Sequence, residues 1–191
     1  MNNEGLILEL FRRVQELEEK VVKLESKKLS GNGGNEFALS GERITRVDAR
    51  RFVMNKFIDE NPEHIAMIGK QKEGSGIVII NEESGISYRV KMYHSNSHSK
   101  DKLFGWHKVY SDQFIEKKYD FYVFTVYWNG KIYSFIFSHE EFCGLISSKK
   151  EEKKIYHLYF EMENGIFYET RDQKPSSGYD VTEYYNNWQI T

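Results

Sequence analysis

The chain predicts an α/β protein of the α+β kind: an N-terminal self-associating helix, a flexible linker, then one aromatic-rich domain built on a mixed sheet. Three observations predict it. Apolar residues keep a coiled-coil period over residues 7–24. Glycine and polar residues dominate 29–35. Beyond them, β-branched and aromatic runs of strand length are separated by Gly-containing turn signals and broken by two helical patterns.

The first element is the heptad. Ile7, Val14 and Val21 occupy the a positions, and Leu10, Leu17 and Leu24 the d positions. β-branched residues at a with Leu at d favour a parallel dimer. The flanks agree, since Arg13 can face Glu18 of a second copy and Lys20 can face Glu25. Leu6 and Phe11 widen the apolar stripe, which would also admit further helices or another protein. An amphipathic helix folded back on its own domain is the competing reading. The kept period and the linker favour self-association. The expected organisation is a coiled-coil helix over 1–28, a linker over 29–37 and a domain over 38–191, because Gly31, Gly33 and Gly34 among polar residues behave as a tether.

Within the domain, Ser40 is the expected cap of a helix to about residue 59, with Ile44, Val47, Phe52, Val53 and Phe57 on one face. Asn61-Pro62 ends it. Short strands are expected over 64–69 and 77–80, separated by a turn at 74–76. A polar turn at 81–85 leads to an alternating strand over 86–93, with Ile86, Tyr88, Val90 and Met92 on one face. Residues 95–102 read as a mobile polar loop, and 104–107 as an aromatic knot. A strand over 119–128 returns through Asn129-Gly130 into 132–137, because both turn positions tolerate positive φ. Ser138 caps a short helix. The charged run 149–154 reads as a solvated loop, and a second hairpin turns about Asn164-Gly165.

Composition limits function. The formal net charge is -2, so global steering toward nucleic acid is excluded and any contact with it must come from a local patch. Cys143 is the only cysteine, which rules out an internal disulfide and suits a reducing compartment. No apolar run is long enough to span a bilayer and no signal peptide is recognisable, so no membrane partner and a cytoplasmic location are expected. The aromatics suit sheet packing first and base stacking second.

Several residue groups are candidate sites. His94 and His98 are four apart but lie on a serine-rich segment with no third ligand near, so no metal site is expected. Cys143 follows His139 by four, without a third orienting group; a structural cysteine is expected there. The middle of the domain is basic, through Arg89, Lys91, Lys100, Lys102, Lys108, Lys117 and Lys118. Interleaved with Tyr93, Trp106 and Tyr110, it could hold a phosphate backbone or simply be a solvated face. The end of the chain is acidic.

The order of these elements resembles the PD-(D/E)xK nuclease superfamily. The resemblance rests on a helix opening Gly41-Glu42-Arg43, an apolar strand after a Gly turn, and the strand Ile86-Ser87-Tyr88-Arg89-Val90-Lys91. Asp120-Phe121-Tyr122-Val123-Phe124, the helix start after Phe137-Ser138, and a tail from Tyr184 to Trp188 match one branch of small proteins in it. The resemblance implies a restriction-endonuclease-like mixed sheet from Ser40 onward. It also implies a Mg²⁺ site between acids on adjacent strands, with a lysine orienting water. Lys91 takes the lysine place, but Arg89 takes an acid's place and the other acid falls near Ile77, give or take one position. Glu42 is the one acid left near such a site. Three readings stand. The first is a non-catalytic nuclease-fold protein, oligomeric, needing no cofactor, that binds DNA through Arg89, Lys91, Lys100, Lys102 and Lys108 or scaffolds a DNA-acting, antiphage-defence-like complex. The second is a Mg²⁺-dependent endonuclease using Lys91 and a displaced Glu42. The third is a protein-interaction module.

Overall fold

The backbone of the first described helix begins where a side chain can satisfy its free N–H groups. In the computed structural model, which describes residues 43–69, 76–115, 117–171 and 177–190, Thr45 caps helix α1 (Arg46–Glu60). Its hydroxyl accepts from the Asp48 N–H while the Asp48 carboxylate accepts from the Thr45 N–H, a reciprocal capping box. The expected start at Ser40 is therefore corrected to Thr45: of the two, Thr45 has the acidic residue three positions on. Ala49, Val53 and Phe57 form the buried face of α1. Val47, expected on that face, is exposed, because it stands about 200° around the helix from Ala49. Asn61 ends the helix as expected. Its side-chain amide donates to the carbonyls of Phe57 and Trp188. Ile7, Leu10, Val14, Leu17, Val21 and Leu24, the linker, Ser40 and Glu42 lie outside the described residues, which all belong to one unit bounded by Leu39–Thr191.

Strands β1 (His64–Ile68), β2 (Ile77–Asn81) and β3 (Ser87–Asn96) follow as an antiparallel meander. The turn between β2 and β3 is held by the Asn81 carboxamide, which accepts from the N–H groups of Glu83 and Ser84. Chain direction then changes. β3 pairs in parallel with β5 (Phe121–Trp128), and β5 pairs antiparallel with β6 (Lys131–Ser138). The resulting mixed sheet has the order β1-β2-β3-β5-β6. Asn129 at φ 49° and Gly130 at φ 77° make the two-residue turn between β5 and β6 that their types predict.

The parallel crossover from β3 to β5 carries β4 (Phe104–Tyr110) and a four-residue helix, α2 (Asp112–Ile115). The aromatic knot expected at 104–107 is thus a strand, with Gly105, His107 and Val109 inward and Trp106, Lys108 and Tyr110 outward. It belongs to a second, antiparallel sheet of order β4-β7-β8-β9, with β7 (Ile155–Glu163), β8 (Ile166–Glu169) and β9 (Tyr179–Asp180). Helix α3 (His139–Ser147) starts at the Ser138 cap, as expected.

Two apolar layers meet on β5, which is buried along both faces. Tyr122, Phe124 and Val126 face the second sheet and α3, where Phe135, Phe137, Phe142 and Phe160 complete the larger cluster. Phe121, Val123 and Tyr127 face α1, with Ile77, Ile79, Val90 and Trp188. Each fully buried ring of this kind contributes about 1.5–3 kcal/mol of transfer free energy. The chain as described is a mixed α+β fold of two sheets and few helices.

Two loop expectations change. The 95–102 segment is not a free loop. Ser95 and Asn96 belong to β3, and the Ser97 hydroxyl donates within the bend and accepts from the Phe104 N–H. In the 149–154 run, Lys149 is buried against the Glu169 carboxylate, so that residue is not solvated.

Candidate nucleic-acid interface

β3 is ten residues long and its two edges are unequally covered. β2 pairs with it only between Ser87 and Val90. From Lys91 to Asn96, β3 pairs with β5 alone among the described strands. The chain entering α1 fastens to this open edge. The Asn96 side chain exchanges two hydrogen bonds with the backbone of Ile44, at 2.9 and 3.2 Å. Two residues further, the Arg46 guanidinium donates to the Met92 carbonyl at 3.3 Å. β4 is an edge strand of the second sheet, so its outward residues reach the same opening.

A cleft of about 270 Å³ lies there. Arg46 comes from α1, Lys91 from β3 and Lys108 from β4. Trp106, Tyr110 and Tyr93 supply aromatic wall, and Gln113 accepts a hydrogen bond from the Tyr93 hydroxyl at 2.6 Å. Lys108 Nζ stands 4.9 Å from the Trp106 ring centre, and Lys91 Nζ 5.2 Å from that of Tyr119. Burial, and then repulsion from Arg46, lower the Lys91 ammonium below its usual range, while Asp112 opposes the shift. Burial raises the Tyr93 phenol, which therefore stays protonated. His94 and His107 also line the cleft. His107 has a buried Nε2 without a hydrogen-bond partner, and the His94 ring lies against the Ile44 backbone. Burial holds His107 down to about 3 and lowers His94 as well, so both rings are neutral at pH 7. The cleft thus gathers three cations, two neutral imidazoles and stacking surface, and no carboxylate lines it among the described residues.

The five cations expected to act together are divided. Lys91 and Lys108 meet in the cleft, with Tyr93, Trp106 and Tyr110. Arg89 is two residues along the same face of β3, half-exposed, donates to the Lys117 carbonyl at 3.3 Å and has its Nε 3.9 Å from the Asp120 carboxylate. Lys102 is held 2.5 Å from the Glu161 carboxylate, which occupies its charge. Lys100 lines a different cavity, of about 670 Å³, with Arg43, His98 and Trp128. Arg46 was missed because it is adjacent to this cluster only through the fold. Its one sequence signal was the position after a capping Thr.

The implied Mg²⁺ site does not fit these residues. Ile77 is buried on the α1 face of the sheet, whereas Lys91 points to the opposite face. The β2 residue opposite Arg89 on the lysine's side is Val78, also without a carboxylate. The Arg89 guanidinium, in an acid's place, would repel a cation. No group of three His, Cys, Asp or Glu side chains among the described residues could hold a metal ion. His94 and His98 separate, the first against Thr125 Oγ1 at 3.0 Å and the second beside Phe104 and Trp106. Cys143 lies 3.5 Å from His139 with its thiol raised by burial, an unreactive setting.

No helix of the described residues is long and apolar enough to cross a membrane. Compared with protein families, with curated proteins and with solved structures, the chain finds no match.

Proposed function

We propose that this chain is a nucleic-acid-binding protein on a nuclease-like plan, one that holds a phosphate backbone in the cleft between β3 and β4. The observation that carries this reading is the convergence of Arg46, Lys91 and Lys108 with Trp106 and Tyr110 in a cleft lined by no described carboxylate. Arg89 lies on the same face of β3, with its charge partly offset by Asp120. A helix followed by an antiparallel meander whose third strand carries Lys91, and then by a parallel strand, supports the nuclease-like plan. The residues at the acid places favour binding over hydrolysis. The heptad over 7–24 fits homo-oligomerisation, which would add avidity by placing several clefts on one strand.

The test is retardation of labelled single-stranded and duplex DNA, with Mg²⁺ or EDTA, over a range of salt. Binding is expected without cleavage, weakening as salt rises. Lys91→Ala and Lys108→Ala should each lower affinity by about tenfold, the loss of one charge-assisted contact. Salt-insensitive binding, or unchanged affinity in both variants, would sink the reading. Metal-dependent cleavage abolished by Lys91→Ala would instead make the chain a nuclease.

A further inference from the structure

We infer that the cleft receives a terminal phosphate, a phosphomonoester at a strand end or on a free nucleotide, in preference to the phosphodiesters within a strand; this rests on the binding reading above. Size is the first ground. At about 270 Å³ the cleft is at the lower end of small-ligand pockets (roughly 300–1,000 Å³), which suits one nucleotide and not a duplex.

Charge is the second ground. A phosphomonoester carries about -1.5 to -2 at pH 7, whereas a phosphodiester carries a single charge. Arg46, Lys91 and Lys108 come from three elements and face one opening. The mutual repulsion of Lys91 and Arg46 is relieved most by a dianion placed between them. Arg46 spends one N–H on Met92, which fixes its plane and leaves other guanidinium N–H groups for a two-oxygen contact.

Oxygen count is the third ground. A monoester presents three free oxygens to Arg46, Lys91 and Lys108, where a diester presents two. Trp106 and Tyr110, half-exposed at the rim, offer a face to the attached base.

The experiment uses the full chain, in EDTA, and fluorescence anisotropy of internally labelled single-stranded oligonucleotides of one sequence. They carry a 5′-phosphate, a 3′-phosphate or hydroxyls at both ends, and adenosine monophosphate is the free-nucleotide probe. One phosphorylated end is expected to bind about tenfold tighter than the hydroxyl form. Lys91→Met and Lys108→Met should remove that preference while their melting curves confirm folding. Arg89→Ala should weaken all the oligonucleotides alike. Equal, salt-sensitive binding of every oligonucleotide would overturn the terminal-phosphate site and leave nucleic-acid binding standing. A preference that survives in both lysine variants would also overturn it, since the end would then be read elsewhere. If only adenosine monophosphate binds, and Lys91→Met abolishes it, the phosphate site stands and the polymer reading falls. Binding of neither probe would overturn both.

Discussion

At the residue scale, the burial of His107 makes it an acid sensor of stability. Its ring lies edge-on between Phe124 and Phe160 and is held down to about 3. In the unfolded chain it titrates near 6.5. Between those values the unfolded state binds the extra proton, so stability is full above about 6.5 and falls as pH drops toward 3. The loss approaches about 1.4 kcal/mol per pH unit once pH is well below 6.5, and comes to about 2.5 kcal/mol between pH 7 and 4.5. Urea unfolding at pH 7 and about 4.5 measures it. His107→Phe, which removes the titration, should show a shallower acid loss than the unaltered chain; equal losses would assign acid sensitivity to other groups. His94, lowered more modestly, adds in the same direction.

At the scale of elements, β4 depends on one missing side chain. A Cβ on Gly105 would come within 2.2 Å of Val126 Cγ2, so glycine lets the second sheet settle on β5. Gly105→Ala should destabilise by about 1–3 kcal/mol through overpacking. A double-mutant cycle with Val126→Ala tests the cause. The two changes should be strongly non-additive, the shorter Val126 position accepting the new methyl group. Additive losses would mean that Gly105 acts through its backbone and not through space. The element-level signals with a local mechanism were the legible ones. Asn129-Gly130, Asn164-Gly165, Asn61-Pro62 and the Ser138 cap each fix a boundary through φ or a hydrogen bond a few residues away. The start of α1 is not legible from residue type alone, since Ser40 and Thr45 are both capping residues, and the reciprocal Asp48 is what singles out Thr45.

At the scale of the whole molecule, the C-terminal segment joins both cores. Tyr184 and Tyr185 pack with the larger cluster, and the Asn186 N–H donates to the Ser134 carbonyl, covering the free edge of β6. The chain then reaches the other layer, where Trp188 meets Phe57 edge-on at 5.1 Å and Phe52 at 6.3 Å. Asn61 locks that arrival, donating to the Trp188 carbonyl and accepting from the Ile190 N–H. Trp188→Ala should therefore cost about 3–5 kcal/mol, the range for a large buried ring. A urea midpoint shifted by the equivalent of less than about 1 kcal/mol would mean that α1 holds without the tail.

The sequence by itself determined the α+β class, most strand boundaries, both Asn-Gly turns and the Ser138 cap, because each depends on residues within a few positions of one another. It also determined that a basic, aromatic stretch runs through 89–110. Only the tertiary structure decided that Lys91 and Lys108 share a cleft, that Lys102 is neutralised by Glu161, and that Arg46 joins the two lysines. It alone placed Ile77 and Lys91 on opposite faces of one sheet. The physical reason is that charge and coordination depend on distance through space. In this fold that distance is set by a parallel crossover and an open strand edge, neither of which leaves a local pattern in the chain.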